Sequence, residues 1–414
     1  MKYAIIGYGN RGEIYSDYFA ADKRVELVAV CDKNPVRRNI AREKHGLTED
    51  KLYSSEETFF AKGKIADLLV VSTQDRDHYG HAIRGLETGY DLLLEKPIAD
   101  TLERCLEIQN TAKKLGRHIF VCHVLRYAPF FGYIKEQIES GKYGRVITVN
   151  LTENVGYYHQ AHSYVRGSWA ITEKSTPMIV AKCCHDLDIL SWLMENSKCE
   201  TVSSFGNLSY FNAQNAPKGS ADYCFECSIR KDCPYDAISY YRDNAGGLFL
   251  NNWYYGDLDD KDAVEKALEN KNCPYAKCVY HSDNTAVDHQ VVNLLFDNGC
   301  SAHLTMTAFS ADIYREIHVH CSLGEIFGNM HDNLITCNVF GKSHEVFDVG
   351  KVSDGGYMHG GGDSRMIRDV IAYYEDENAK ELTSIENSFI SHSIAYAAEE
   401  SRLKGGAPVK IQRK

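Results

Sequence analysis

The chain has 414 residues, 44% of them apolar, and a formal net charge of -11. That length can bury two or three cores. The acidic balance excludes nucleic acid and anionic membrane as partners, since both require clustered Lys and Arg to neutralise phosphate. No apolar run approaches the roughly 20 residues of a membrane span. The first strand begins at Lys2 with no room for a leader, so the expected location is the cytoplasm. The 14 cysteines suit a reducing compartment: Cys31, Cys122, Cys321 and Cys337 sit in strand-like apolar runs, where a thiol acts as a small hydrophobe.

The chain opens with a β-branched run over 2–6, then Gly7-Tyr8-Gly9-Asn10-Arg11-Gly12, then a helical pattern over 13–21. A Gly-rich turn between strand and helix is the dinucleotide fingerprint. Gly7 allows the tight turn, Gly9 the approach of a pyrophosphate and Gly12 close helix packing. Asp32 ends the next strand, 26–31, where a ribose-binding acid belongs, so NAD is favoured over NADP; Arg37 and Arg38 temper that preference. Strand-like runs at 66–72, 90–94 and 117–122 then alternate with helical patterns at 35–45, 78–88 and 100–115. Asp100 and Thr101 supply a start signal for the last helix and Gly116 its stop. This alternation predicts an α/β fold: a Rossmann domain over 1–123, with a doubly wound parallel sheet.

Beyond 123 the helices thin out. Runs at 144–155, 201–210, 287–296, 301–309 and 316–323 predict a large, mostly antiparallel open sheet, with helices only at 130–140, 178–194 and 385–403. The second domain, 124–414, would bind substrate, and the uncovered sheet face would meet another copy, giving a homodimer or homotetramer. Residues 211–285 look like a loop-rich insertion without a core of its own. Within it, Cys224, Cys227, Cys233 and Cys278 can supply four thiolates to a structural zinc; an iron-sulfur cluster fits the pattern less well, and plain thiols remain open.

Glu95-Lys96-Pro97 closes the strand 90–94, and carboxyl ends of parallel strands are where ligands lie. Pro97 restricts Lys96 to extended geometry and aims its amine into the crevice. Farther on, His185, Asp188 and Trp192 share a helix face, so an imidazole that can serve as a base stands one turn from a carboxylate. That carboxylate is expected to raise the proton affinity of His185.

The Gly-rich turn, Glu95-Lys96-Pro97, Arg126-Tyr127-Ala128-Pro129-Phe130 and the helix bearing His185 and Asp188 together resemble the glucose-fructose oxidoreductase and inositol dehydrogenase (Gfo/Idh/MocA) family. The resemblance implies an N-terminal Rossmann domain, a C-terminal α/β domain with an open sheet, and NAD(P)-dependent chemistry on a sugar or cyclitol. It maps the family's lysine to Lys96, its catalytic histidine to His185 and its substrate-binding acid to Asp188. The cofactor cradle would comprise Gly7, Tyr8, Gly9, Asn10, Arg11, Gly12, Asp32, Arg37, Ser72, Thr73, Gln74, His78, Glu95 and Lys96. Arg126, Tyr127, Arg166, Trp169 and His359 would line the substrate site with Asp188; His359-Gly-Gly-Gly-Asp363 is expected to be a mobile turn acting as a clamp. One departure stands out. The aspartate that many members carry four residues before the histidine is Ala181 here, and Lys182 follows it, either reaching the site or solvated at the helix edge.

The expected activity is hydride transfer between a secondary hydroxyl of a sugar, glycoside or cyclitol and NAD. A redox-neutral glycosidase, working by transient oxidation and elimination, is the alternative. Lys96 together with His185 argues against a non-catalytic sugar or NAD sensor.

Overall fold

A computed structural model describes residues 1–243, 250, 253–352, 359–376 and 381–411. The first sheet contains β1 (Lys2–Ile6), β2 (Glu26–Cys31), β3 (Leu52–Tyr53), β4 (Leu68–Val71), β5 (Asp91–Leu94) and β6 (Ile119–Val121), in the order β3-β2-β1-β4-β5-β6. Every pairing is parallel. Covered on both faces by helices, such strands carry unbroken apolar runs, and all of Leu68–Val71 is buried. The strand order reverses between β1 and β4, which opens a crevice at their carboxyl ends. The helix Leu102–Leu115 starts and stops as its sequence signals require: Thr101 accepts from the Arg104 amide, and Gly116 is left-handed at φ 60°.

The second sheet comprises β7 (Val146–Asn154), β8 (Cys199–Asn207), β9 (His289–Phe296), β10 (Ser301–Thr307), β11 (Tyr314–Cys321), β12 (Gly324–Asn329), β13 (Leu334–Val339), β14 (Glu345–Asp348) and β15 (Val409–Lys410). Its order is β14-β13-β12-β11-β7-β10-β9-β8-β15, and only β7 and β10 run parallel. The mostly antiparallel open sheet is therefore present, but it extends past the expected series through β12, β13 and β14. Those strands carry Gly324, Gly328 and Asn338, residues of poor strand propensity that mask the pattern.

Three features differ from expectation for physical reasons. The helix read over 178–194 is two pieces, Met178–Ala181 and Cys184–Leu193, broken at Lys182 and Cys183. A second helix, Gly362–Tyr373, buries Met366, Ile367 and Val370 in the same apolar cluster as Ile5, Val70 and Leu93 of the first sheet, so that core draws on residues far from it in sequence. The insertion also has a core: Ile238, Tyr241, Val264, Leu268 and Cys273 pack together around the helix Lys261–Leu268. Among the described residues no helix is long and apolar enough to cross a membrane.

Candidate active site

The Gly-rich turn is built to receive an anion. Gly7 adopts φ +89°, and a Cβ there would stand 2.7 Å from the Ser72 carbonyl oxygen; a Cβ on Gly12 would meet the Gly7 oxygen at 2.4 Å. Gly9 differs: a Cβ would touch nothing within 4 Å, and as N-cap of the helix Asn10–Ala20 it supplies no side-chain cap. No side chain caps the start of that helix and space is left beside Gly9, the arrangement that lets a pyrophosphate approach helix amides. Asp32 is held by two backbone donors, Tyr8 N–H to Oδ2 and Asn34 N–H to Oδ1, both at 2.7 Å. These bonds orient the carboxylate for ribose hydroxyls. A dinucleotide fits this cradle.

Several expected cradle residues serve the protein instead. Arg37 is buried and donates to Asn10 Oδ1 at 2.8 Å and to Glu13 at 3.3 Å, which uses both side chains for mutual support. Arg11 donates to Glu95 at 2.7 Å and pairs with Asp363, while Tyr8 buries its ring and bonds His45. Ser72 donates to the Gly7 oxygen at 2.7 Å and so fixes the turn, and Thr73 bonds His81 at 3.0 Å. Gln74 caps the short turn Asp75–Asp77 through its backbone. His78 is buried, with its ring nitrogens at 2.7 Å from the Pro97 oxygen and 3.1 Å from that of Thr73; it braces the loops lining the crevice rather than meeting a ligand.

Glu95 anchors the strand end. It accepts from Arg11 and, at 2.5 Å, from Tyr15 Oη, and its other oxygen takes the Lys96 amide at 2.9 Å. Burial would raise its carboxyl, but Arg11 and then Lys96 hold it below the ordinary carboxylate range. So fixed, the chain turns through the cis Lys96–Pro97 peptide, and Lys96 Nζ crosses the crevice to donate to the Ala181 oxygen at 2.9 Å. In an unbroken helix that oxygen would accept from the amide of residue 185. The helix breaks there, and the ammonium takes the carbonyl.

His185 lies one turn beyond, 3% exposed, with Nδ1 buried and unpartnered. Burial, then the positive field of Lys96, push its proton affinity well below that of free imidazole. The expected boost from Asp188 is absent, because Arg126 grips both Asp188 oxygens at 2.7 Å and the pair is buried. Asp188 is thus paired with Arg126 rather than with His185. Beside His185, at 5.5 Å between ring centroids, stands His359, whose Nδ1 lies 2.9 Å from Asp363 Oδ2. Burial opposes ionisation of Asp363, but Arg11 and then His359 hold its carboxyl well below the usual range. The expected clamp is therefore a 3-10 turn, His359–Gly361, leading straight into a helix and pinned at both ends.

Lys182 is neither solvated nor loose. Its Nζ sits 3.1 Å from Glu153, which also takes Arg315 at 2.9 Å; Arg315 in turn binds Asp186 at 2.6 Å. All four side chains are largely buried, so a balanced charge network replaces the missing aspartate. Burial outweighs Arg315 at Asp186 and pushes its carboxyl up. Sequence reasoning missed Glu153, Arg315 and Asp186. A signal existed: Glu153 alternates with the buried Val149 and Leu151, and Arg315 with Ile317 and Val319, so each charge occupies an inward-facing strand position.

Three expected substrate residues make their contacts within the protein. Tyr127 is buried with its hydroxyl 3.3 Å from Thr383 in the first core, away from the crevice. Trp169 donates Nε1 to Asp75 at 2.9 Å and ties the two halves of the chain together. Arg166 points into the insertion, donating to the Lys277 and Tyr235 oxygens at 2.7 Å each.

Fold and crevice define a two-part class of protein, a dinucleotide-binding Rossmann domain joined to an α/β domain with a mostly antiparallel sheet. Comparison with known proteins gives the family: residues 1–123 match the oxidoreductase family with NAD-binding Rossmann fold, and 135–411 match its C-terminal α/β domain, so the chain belongs to the Gfo/Idh/MocA family. It is 24% identical over 365 residues to the "Putative oxidoreductase YteT" of Bacillus subtilis, covering 83% of this chain and 82% of that one. Against the D-glucoside 3-dehydrogenase of Escherichia coli it is 30% identical over 147 residues, 35% of this chain and 41% of that enzyme. An oxidoreductase from Agrobacterium radiobacter, whose crystal structure contains NAD+, L-tartaric acid and magnesium, shares the fold with a TM-score of 0.72 at 15% identity, covering 99% and 98% of the two chains.

Proposed function

We propose that this protein is an NAD-dependent dehydrogenase acting on a secondary hydroxyl of a sugar, glycoside or cyclitol. One observation carries the reading: Lys96, at the end of a Rossmann strand, reaches the helix break beside His185, so both groups face one crevice. NAD supplies a hydride acceptor there; every other task falls to the protein. Lys96 Nζ holds the reacting oxygen and stabilises its negative charge as the hydride leaves. His185, kept neutral by burial and cationic neighbours, takes the hydroxyl proton. NAD is the cofactor because the Asp32 carboxylate repels a 2′-phosphate.

The His185–His359 pair favours a second reading, a redox-neutral glycosidase, since elimination needs one group to take a C–H proton and another to deliver one to the leaving group. A panel of glycosides, free sugars, sugar acids and cyclitols tests both. Accumulating NADH supports the dehydrogenase, aglycone release without net NADH supports the glycosidase, and neither outcome across the panel overturns the catalytic reading.

A cytoplasmic homo-oligomer completes the proposal. None of the 14 cysteines forms a disulfide, which suits a reducing compartment. By strand register, Phe205, Leu295, Phe327 and Val346 share the sheet face turned away from the helices and are exposed, a surface suited to a second copy. Sedimentation of the purified chain checks this, and a monomer at micromolar concentration rejects it.

A further inference from the structure

Cys224, Cys227, Cys233 and Cys278 come from three separate loop segments of the insertion and border a single cavity, in which the centre of a water-sized sphere sweeps about 20 Å³. The backbone enforces the convergence. An antiparallel bridge joins Tyr223 to Lys277, and the Cys278 amide donates to the Asp222 oxygen at 2.9 Å, which sets Cys224 beside Cys278. Tight turns then present the other two: Cys227 N–H donates to the Cys224 oxygen at 3.2 Å, and Cys233 N–H to that of Arg230 at 3.1 Å. The fifth thiol of the insertion, Cys273, is fully buried in the neighbouring apolar cluster and takes no part.

Arg166 is the second, independent sign. Its guanidinium is buried, Nε and Nη2 donate to two carbonyl oxygens, and Nη2 lies 3.6 Å from Cys224 Sγ. Among the described residues no carboxylate forms an ion pair with it: the buried Asp236 borders the same cavity but accepts from the Ile238 and Ser239 amides and the Ser239 hydroxyl, and the side chains that act most strongly on the guanidinium are Cys224, Tyr241, Cys278 and Cys233. A buried guanidinium is strongly disfavoured unless an anion offsets it. Neutral thiols do not, whereas a metal centre held by four thiolates carries net negative charge.

Sulfur spacing bears on the kind of centre. Around one zinc with bonds of about 2.3 Å, tetrahedral sulfurs lie about 3.8 Å apart. Here no three of these sulfurs fall within 4.8 Å of one another, wider than one zinc would hold them, and all four border the one cavity. We propose that Cys224, Cys227, Cys233 and Cys278 hold a four-iron iron-sulfur cluster, with Arg166 as its buried counter-charge, and that this centre fastens the insertion. The fastened segment carries Tyr255, whose hydroxyl accepts from Asn34 at 2.8 Å beside the ribose-binding Asp32.

The test is metal and sulfide analysis with visible absorbance on full-length protein purified without oxygen. The expected result is about four iron and four acid-labile sulfides per chain with a brown absorbance, lost in Cys233→Ser and in the milder Cys227→Ser, and retained in Cys273→Ser. Arg166→Met should keep the fold, as read by the helical circular dichroism of the whole chain, but lower cluster occupancy severalfold. One zinc per chain without iron overturns the cluster; so does metal-free protein whose four thiols all react with a thiol reagent in the native state.

Discussion

The Lys96 ammonium donates to the Ala181 carbonyl oxygen at 2.9 Å, across the crevice between the two sheets and at the point where the helix carrying His185 is interrupted. This bond positions an amine and an imidazole, far apart in sequence, at one place.

Replacing Lys96 by Met should therefore abolish turnover without emptying the cradle. Loss of a group that stabilises developing negative charge costs about a hundredfold to a thousandfold in kcat. NAD affinity, read by quenching of intrinsic fluorescence, should change less than about threefold, since the turn and Asp32 supply most contacts to the dinucleotide. A loss of NAD affinity with kcat unchanged would show that Lys96 serves binding alone.

His185→Asn should lower kcat by about a hundredfold to ten-thousandfold. Because His185 is held well below the ordinary imidazole range, its neutral form persists into mild acid. The kcat profile of the native enzyme should stay flat as pH falls through about 6.5, the usual histidine value. A limb centred there would mean the base is a solvated histidine elsewhere.

Asp32→Ser removes a carboxylate that two backbone amides hold in place. Lost hydrogen bonds to a charged group, about 1.5–3 kcal/mol, should raise KM for NAD by roughly tenfold to a hundredfold. With the repelling charge gone, relative use of NADP should rise, and an unchanged ratio of the two kcat/KM values would place the selecting group elsewhere.

Buried histidines make the fold sensitive to acid. Burial pushes His123 down to about 4 and His162 and His392 to about 3. The unfolded chain takes up these protons near pH 6.5 and the native one does not, so this stability is complete above that pH and is lost as pH falls toward the native values. Each such histidine contributes a slope of about 1.4 kcal/mol per pH unit. Urea midpoints at pH 7, 6 and 5 should fall steeply, and His392→Gln should flatten the slope by one proton.

Arg315→Met should destabilise by about 3–5 kcal/mol, since it strands Glu153 and Asp186 with only Lys182 to offset two buried carboxylates. Urea unfolding at pH 7 measures this. A cost below about 1 kcal/mol would mean water reaches the network.

Local chemistry made much of this legible in the sequence. Gly7, Gly9 and Gly12 after a β-branched run, Asp32 at the next strand end, and Thr101 and Gly116 at the ends of a helix are choices a short stretch of backbone enforces by itself, so the Rossmann half, its cofactor class and its caps could be read directly. The tertiary structure alone decided who pairs with whom. Asp188 goes to Arg126, Lys182 to Glu153, Arg166 to the cysteine cavity and Asp363 to Arg11, because a buried charge must find a partner in space, and that choice depends on how strands and helices from distant parts of the chain are packed.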